Sequence, residues 1–382
     1  MKTTTYAMPL LAAVLCTPAT AGLISIGSAE NFTVLANTYV SGGDSNIVYG
    51  NVIANTYAST GNGSTIHGDF RSGDVLTLGD GATVNGNAES IEAGSATANT
   101  LVTGNLVTGG VGTMGDTAKV EGNFISGLDG TIGANAKLDG NWEVGAGSVA
   151  AASASSNKVS GDAVDTDVAY LNTVKATIDS DMIAATNDLI TAKAALNAMA
   201  ATEPTLAPTF TTNGTLFAGV YEAANWSTTA GTTIKLDGQG QNNAMWVFNI
   251  DDYLVFGGDS TVELFNVGTN AQVFWNVGSE ASPGGYATVG AGADINDRTN
   301  IVGTIIADTY VKVYANATVH HASGAEGNCA GIYSTTSYVE IGAGAIVGGT
   351  GCSSTSVSVP EPQSLLLFGL GLIGLVARRK KA

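Results

Sequence analysis

Apolar residues return on a fixed beat through the first half of the chain. Gly-Asn or Gly-Asp pairs begin at Gly50, Gly68, Gly86, Gly104, Gly122 and Gly140, each 18 positions after the last, and a seventh at Gly161 follows a three-residue insertion. Two positions before each glycine stand Val48, Ile66, Val84, Val102, Val120, Leu138 and Val159; two after stand Val52, Phe70, Ala88, Leu106, Phe124, Trp142 and Ala163. Apolar positions two apart are the spacing of inward-facing strand residues, and a constant period means that each coil of chain stacks on its neighbour. The pattern predicts a parallel β-solenoid with three short strands per coil, hydrogen-bonded between coils at about 4.8 Å and turned at Gly and Asn corners that tolerate positive φ. The Asn51, Asn87, Asn105, Asn123 and Asn141 column reads as a structural ladder.

The beat changes after Gly161. Val164, Val168, Leu171, Val174, Ile178, Met182, Leu189 and Leu196 recur at helical spacing, so a long amphipathic helix is expected over 163–203, starting near Asp162 and ending before Pro204, with its apolar stripe packed on the solenoid. Strand patterns then resume. Tyr253-Leu254-Val255-Phe256-Gly257-Gly258-Asp259 parallels Tyr39-Val40-Ser41-Gly42-Gly43-Asp44, and Tyr286, Tyr310 and Tyr338 open three more copies. The expected organisation is a leader at 1–21, a regular solenoid half at 22–162, the helix, a C-terminal solenoid half at 204–352 and a tail at 353–382.

Glycine accounts for 51 of the 382 residues and only 12% of residues are charged, which excludes an acidic disordered tail and a helical bundle. The formal charge is −18. With the terminal segments removed, residues 22–362 keep nine basic and 32 acidic groups, hence −23, a surface that rejects nucleic acid.

Both termini carry addresses rather than fold. Residues 1–21 combine Lys2, an apolar stretch from Ala7 to Leu15 and a small-residue exit at Ala19-Thr20-Ala21, the form of a secretory signal peptide. Cys16 leaves with it. Cys329 and Cys352 are then an even pair in an oxidising compartment, where a disulfide across the last coils is expected, two buried free thiols being the alternative. At the other end Pro360-Glu361-Pro362 precedes an apolar run at 364–377 and the basic cluster 378–381. This tail resembles the PEP-CTERM sorting signal of Gram-negative bacteria. The resemblance implies an exosortase as partner, transient anchoring in the inner membrane by the apolar run, and release to the cell envelope or extracellular matrix. Gly369, Gly371 and Gly374 in GxGxxG spacing lie inside that run with no strand before them, so they are not a dinucleotide loop.

The phrases SAENFTVLANTYV, FAGVYEAANW, KLDGQGQNNAMWVFNI, AQVFWNVGS and VGTIIADTYVKVYANATV, spread over 25–350, resemble the DUF3494-type ice-binding proteins. That resemblance implies a discontinuous, right-handed, three-sided β-solenoid with one α-helix alongside, adsorbing to ice through a flat face without cofactor or catalysis. The unusually regular run from Gly50 to Gly161 departs from the family's pattern, which weakens transfer of the family's binding face residue by residue.

The repeat itself nominates a face. Ser41, Ser59, Thr77, Ser95, Thr113 and Thr131 share one outward column, flanked by Tyr39, Tyr57, Val75, Ala93, Val111 and Asp129. Regular hydroxyls on a rigid, mostly uncharged wall are what matching of ordered water requires, although Ser and Thr also suit strands for structural reasons alone. The remaining columns, His67, Asn85, Thr103, Glu121, Asp139 and Arg71, Glu89, Val107, Ile125, Glu143, carry charges that disturb a flat face. In the C-terminal half the corresponding column reads Val255, Thr288, Lys312 and Glu340, a poorer surface by the same criterion. His67, His320 and His321 have no ligand cluster in spacing around them, so no metal site is expected, and no acid/base pair supports a hydrolase. The sequence therefore points to a non-enzymatic ice-binding solenoid. The alternative is a matrix or adhesive rod that binds extracellular polysaccharide or cell surfaces.

Overall fold

The computed structural model describes residues 24–145, 150–153, 157–158, 164–165, 168–278, 293–320 and 331–349. Among them the chain forms three sheets of thirteen strands, every pairing parallel, with one strand from each coil in each sheet. The helix-side sheet takes Val34–Ala36, Val52–Ala54, Phe70–Ser72 and their successors. The hydroxyl sheet takes Tyr39–Gly42, Tyr57–Ser59 and Val75–Leu78, and the third sheet takes Ile47–Val48, Thr65–Ile66 and Thr83–Val84. Val52 pairs with Phe70 and Phe70 with Ala88, so the 18-residue beat is the coil length. This is the three-sided parallel solenoid expected from the repeat.

Coils do not stack in chain order. The N-terminal half grows outward from Val34 to Asp165, and α1 (Val168–Asn197) returns along the helix-side sheet. The C-terminal half then starts at the opposite end and stacks inward, until Ile332–Ser334, Val339–Ile341 and Ile346–Val347 pair with the first coil. Thirteen rungs at about 4.8 Å span about 58 Å, and the 30 residues of α1 cover about 45 Å of that return. Val164–Asp165, placed in the helix by its periodicity, instead pairs with Glu143 and Val144 as part of the last described N-terminal coil.

Corner chemistry is split between two sets of residues. The left-handed positions are Ser45, Gly63, Gly81, Asn99, Thr117 and Asn135, one per coil between the hydroxyl and third sheets. The Gly-Asn corners do a different job, and of their glycines among the described residues only Gly50 has positive φ. A side chain at Gly104 would put Cβ 2.7 Å from the carbonyl of Gly86, and Gly122 stands likewise over Gly104, so this column is glycine because successive coils touch there. The adjoining Asn column is a ladder, as expected: Asn87 Oδ1 accepts from Asn105 N–H at 2.9 Å, Asn105 Oδ1 from Asn123 N–H at 2.8 Å, and Asp69 fills the same place one coil earlier.

The interior is mainly apolar, and its aromatic residues are concentrated in the C-terminal half, where Phe248 and Trp275 stack at 4.1 Å. A second core lies outside the helix-side sheet, where Val174, Ile178, Met182, Leu189 and Leu196 of α1 cover Leu35, Ile53, Val107, Ile125 and Val247. Lys193, 1% exposed, pins the helix by donating to Asn276 Oδ1 at 2.8 Å and the Val277 carbonyl at 2.9 Å, with Asp308 at 3.3 Å. The column Arg71, Glu89, Val107, Ile125 and Glu143 is therefore no free face. Arg71 bridges Asp69, Glu89 and Asp181 of α1 at 3.1, 2.9 and 3.0 Å, and burial pushes the Glu89 carboxyl up against the opposing pull of Arg71. The helix settles on this wall because Val107, Ile125, Leu35 and Ile53 need cover.

Candidate functional site

With one wall under α1, two remain open, and the hydroxyl sheet carries the column singled out by the repeat. Ser41 pairs with Ser59, Ser59 with Thr77, Thr77 with Ser95, Ser95 with Thr113 and Thr113 with Thr131, all in one register. Their neighbours Val40, Ala58, Leu76, Ala96, Met114 and Ile132 are buried, so strand alternation turns the six hydroxyl residues outward. Thr131 Oγ1 donates to Thr113 Oγ1 at 3.2 Å, and Ala151 holds the next position. From the fourth coil onward the file is preceded by Gly94, Gly112 and Gly130, whose missing side chains leave room inside for Thr108, Phe124 and Trp142. The Gly-Ser and Gly-Thr pairs are thus a packing rule: glycine inward over a large neighbour, hydroxyl outward.

At about 4.8 Å per rung the file is about 24 Å long. It ends sharply at the meeting of the two halves, where Ser41 pairs with Glu340, Glu340 with Lys312 and Lys312 with Asp294. The position given to Thr288 by its local motif belongs to Asp294; Thr288 lies outside the described residues, and the irregular spacing of this half moves the strand six positions along. Lys312 and Glu340 form an ion pair at 3.4 Å, Tyr39 Oη donates to Glu340 Oε1 at 3.0 Å, and Tyr310 Oη donates to Asp294 Oδ2 at 3.2 Å. Burial, opposed by Tyr310, pushes the Asp294 carboxyl above its ordinary value. The flanking tyrosines are stacked: Tyr310 on Tyr338 at 5.6 Å and Tyr338 on Tyr39 at 4.7 Å, with Lys312 Nζ 5.5 Å from the Tyr310 and Tyr338 ring centres. This charged aromatic clasp bounds the hydroxyl file and ties the halves together. Its tyrosines are legible as repeat markers, but not their stacking, which requires the first coil to lie on the last.

His67, Asn85, Thr103, Glu121 and Asp139 form a column just past the strands of the third sheet, each backbone N–H donating to the strand of the coil before. The His67 ring stacks on Tyr49 at 4.6 Å and its Nδ1 lies 3.0 Å from Asn85 Nδ2, which makes it a surface packing residue. Among the described residues no group of three or more His, Cys, Asp or Glu is placed to hold a metal ion, and no helix is long and apolar enough to cross a membrane. His321, Cys329, Cys352 and the tail with Pro360, Glu361 and Pro362 lie outside the described residues.

The model of the ice-binding-like family matches residues 91–327, and that of the PEP-CTERM protein-sorting motif matches 358–381, an address for export to the Gram-negative cell envelope. No curated protein matches. Similar solved structures include an ice-binding protein from the Antarctic ascomycete Antarctomyces psychrotrophicus, at 17% identity, covering 85% of this chain and 97% of that one with a TM-score of 0.41. The DUF3494 domain of an ice-binding protein from Shewanella frigidimarina matches at 18% identity, 85% and 95% coverage and a TM-score of 0.40. An ice-binding protein from an Arctic yeast matches at 13% identity, 88% and 96% coverage and a TM-score of 0.41. Because the family's model spans well over half of the chain, from the fourth regular coil through α1 to the last coils, the protein belongs to the ice-binding-like family.

Proposed function

We propose that this protein is an exported, non-enzymatic ice binder that meets ice through the hydroxyl sheet of its N-terminal half, with Ser41, Ser59, Thr77, Ser95, Thr113 and Thr131 as the contact file. The observation that carries this reading is their unbroken outward register, without an ionisable group in the file, on a wall whose backbone is hydrogen-bonded on both sides. Such a wall holds its hydroxyls in place before any contact, so ordering water against it costs little further entropy. No cofactor or reacting group is needed. Export by the signal peptide, transient anchoring by the apolar run at 364–377 and exosortase processing deliver the rod to the envelope or beyond.

Thermal hysteresis and ice-recrystallisation assays test the reading. Replacing Thr77 and Thr113 together by Lys should abolish activity while leaving the circular dichroism spectrum and melting temperature near the parent's. Undiminished activity in the double variant would reject this face, and normal ice growth at high concentrations of the parent would reject ice binding altogether. The sorting tail favours one second reading, a matrix or adhesive rod. An ice-inactive parent retained on immobilised exopolysaccharide is its signature.

A further inference from the structure

The third sheet carries a column that the 18-residue repeat does not reveal, because half of it lies beyond the meeting of the two halves. Thr233 pairs with Thr261, and Asn300 links Thr261 to Thr318. Ile346 and Ile47 then carry the register across the junction to Thr65 and Thr83, and Leu101 ends the run. Nine successive rungs thus hold no ionisable side chain, and these residues are half-buried or exposed on the outside of the sheet. The hydroxyl sheet, by contrast, breaks into Glu340, Lys312 and Asp294 at the same junction.

We propose that the third sheet is a second ice-contact surface, centred on the junction and set at an angle to the first; this inference rests on the ice-binding reading of the hydroxyl sheet. Charge distribution selects the partner. On a chain with 32 acidic residues, the ion pairs flanking the column stand towards its ends, at Lys235 with Glu263, at Arg298 with Asp259 and at Lys119 with Glu121 and Asp139. A column of nine rungs without an ionisable side chain on so acidic a protein suits a neutral lattice and not a charged polymer. Rigidity is also supplied, by in-register backbone pairing and by the Tyr49–His67 stack and Asn85 contact in the adjacent column. Two non-coplanar surfaces on one rod would let the protein occupy ice planes of different orientation, or hold two grains at once.

The test uses the full chain and three variants: Thr77→Lys with Thr113→Lys on the hydroxyl sheet, Thr65→Lys with Thr318→Lys on the third sheet, and all four together. Lys119 and Lys137 already occupy the third-sheet column, so the fold accepts lysine there. Fluorescently labelled protein is adsorbed to a single-crystal ice hemisphere, and recrystallisation end-points are measured beside melting temperatures. The expected result is that the third-sheet pair removes part of the parent's plane pattern and raises the end-point concentration several-fold, the hydroxyl-sheet pair removes the complementary part, and the fourfold variant leaves ice bare. An active parent whose pattern and end-point are untouched by the third-sheet pair overturns this inference and leaves the hydroxyl sheet standing. A parent that binds no ice overturns both. Should Thr65→Lys with Thr318→Lys melt well below the parent, Thr83→Lys with Thr261→Lys puts the same question to the same column.

Discussion

Tyr39 lies flat on Tyr338, ring centres 4.7 Å apart and planes 4° from parallel, although one belongs to the first coil of the chain and the other to the last. Tyr338 also stacks on Tyr310, at 5.6 Å. The stack is the side-chain counterpart of the backbone pairing that joins the halves, and it converts two separate runs of coils into one continuous rod. Aromatic pairs contribute about 0.5–1.5 kcal/mol each beyond their burial. Tyr338→Ala should therefore lower stability by about 2 kcal/mol. Hydrogen exchange locates the loss: amides of Val34–Val48 should exchange faster while those of Leu106–Val120 keep the parent's protection. Uniform loosening of both regions would mean that the stack does not act at the junction.

The Asn ladder makes a chemical prediction of its own. Asn105 Oδ1 accepts the Asn123 N–H at 2.8 Å, and Asp69 serves the same purpose with a carboxylate. Asn105→Ala removes an acceptor and leaves a backbone donor to water, a cost of about 1 kcal/mol, whereas Asn105→Asp keeps the acceptor and should stay near the parent. Denaturant titration of the two variants separates them. Equal losses would show that amide donation, not oxygen acceptance, holds the coils in step.

How much of this was legible in the chain follows from the range of each interaction. In the regular half every coil pairs with the residue 18 positions on, so Ser59 opposite Thr77 and Asn105 beneath Asn123 can be read directly from the period. The pairing of Ile47 with Ile346 has no such local signal, because stacking of the last coil on the first depends on α1 carrying the chain to the far end. Which wall α1 covers is hidden in the period for a related reason. Arg71, Glu89 and Glu143 look solvated when only their own column is considered, yet Leu35, Ile53, Val107 and Ile125 in that column demand an apolar partner. Asp294 replaced Thr288 because insertions in the C-terminal half break the period that made the first half readable.

Alkaline pH should strike the clasp first. Burial, helped by the Glu340 contact, raises the Tyr39 phenol to about 12, and burial with the Asp294 charge raises Tyr310 to about 12 as well. An unfolded tyrosine titrates near 10. A group whose folded value lies above its unfolded one contributes fully below pH 10 and loses that contribution as pH climbs towards 12. The melting temperature should therefore fall over that interval, with ultraviolet titration showing late-ionising phenols. Tyr310→Phe, which cannot ionise, should flatten part of the fall. A melting temperature unchanged from pH 10 to 12 would remove the clasp's electrostatic role.

Two glycines in neighbouring coils distinguish the two reasons for glycine in this fold. At Gly104 an added Cβ would stand 2.5 Å from Asn87 Oδ1 and 2.7 Å from the Gly86 carbonyl, so Gly104→Ala must push neighbouring coils apart. Overpacking of this kind costs about 1–3 kcal/mol. Gly81 has φ of +70° but no heavy atom nearer than 4.0 Å, and the next coils place Asn99, Thr117 and Asn135 at its position with φ of 57–59°. Asn enters the left-handed region readily, so Gly81→Asn should change stability by less than about 0.5 kcal/mol. Measured side by side, the first substitution should destabilise the rod and the second should not. The opposite ranking would mean that corner conformation, and not coil-to-coil contact, limits the sequence of the repeat.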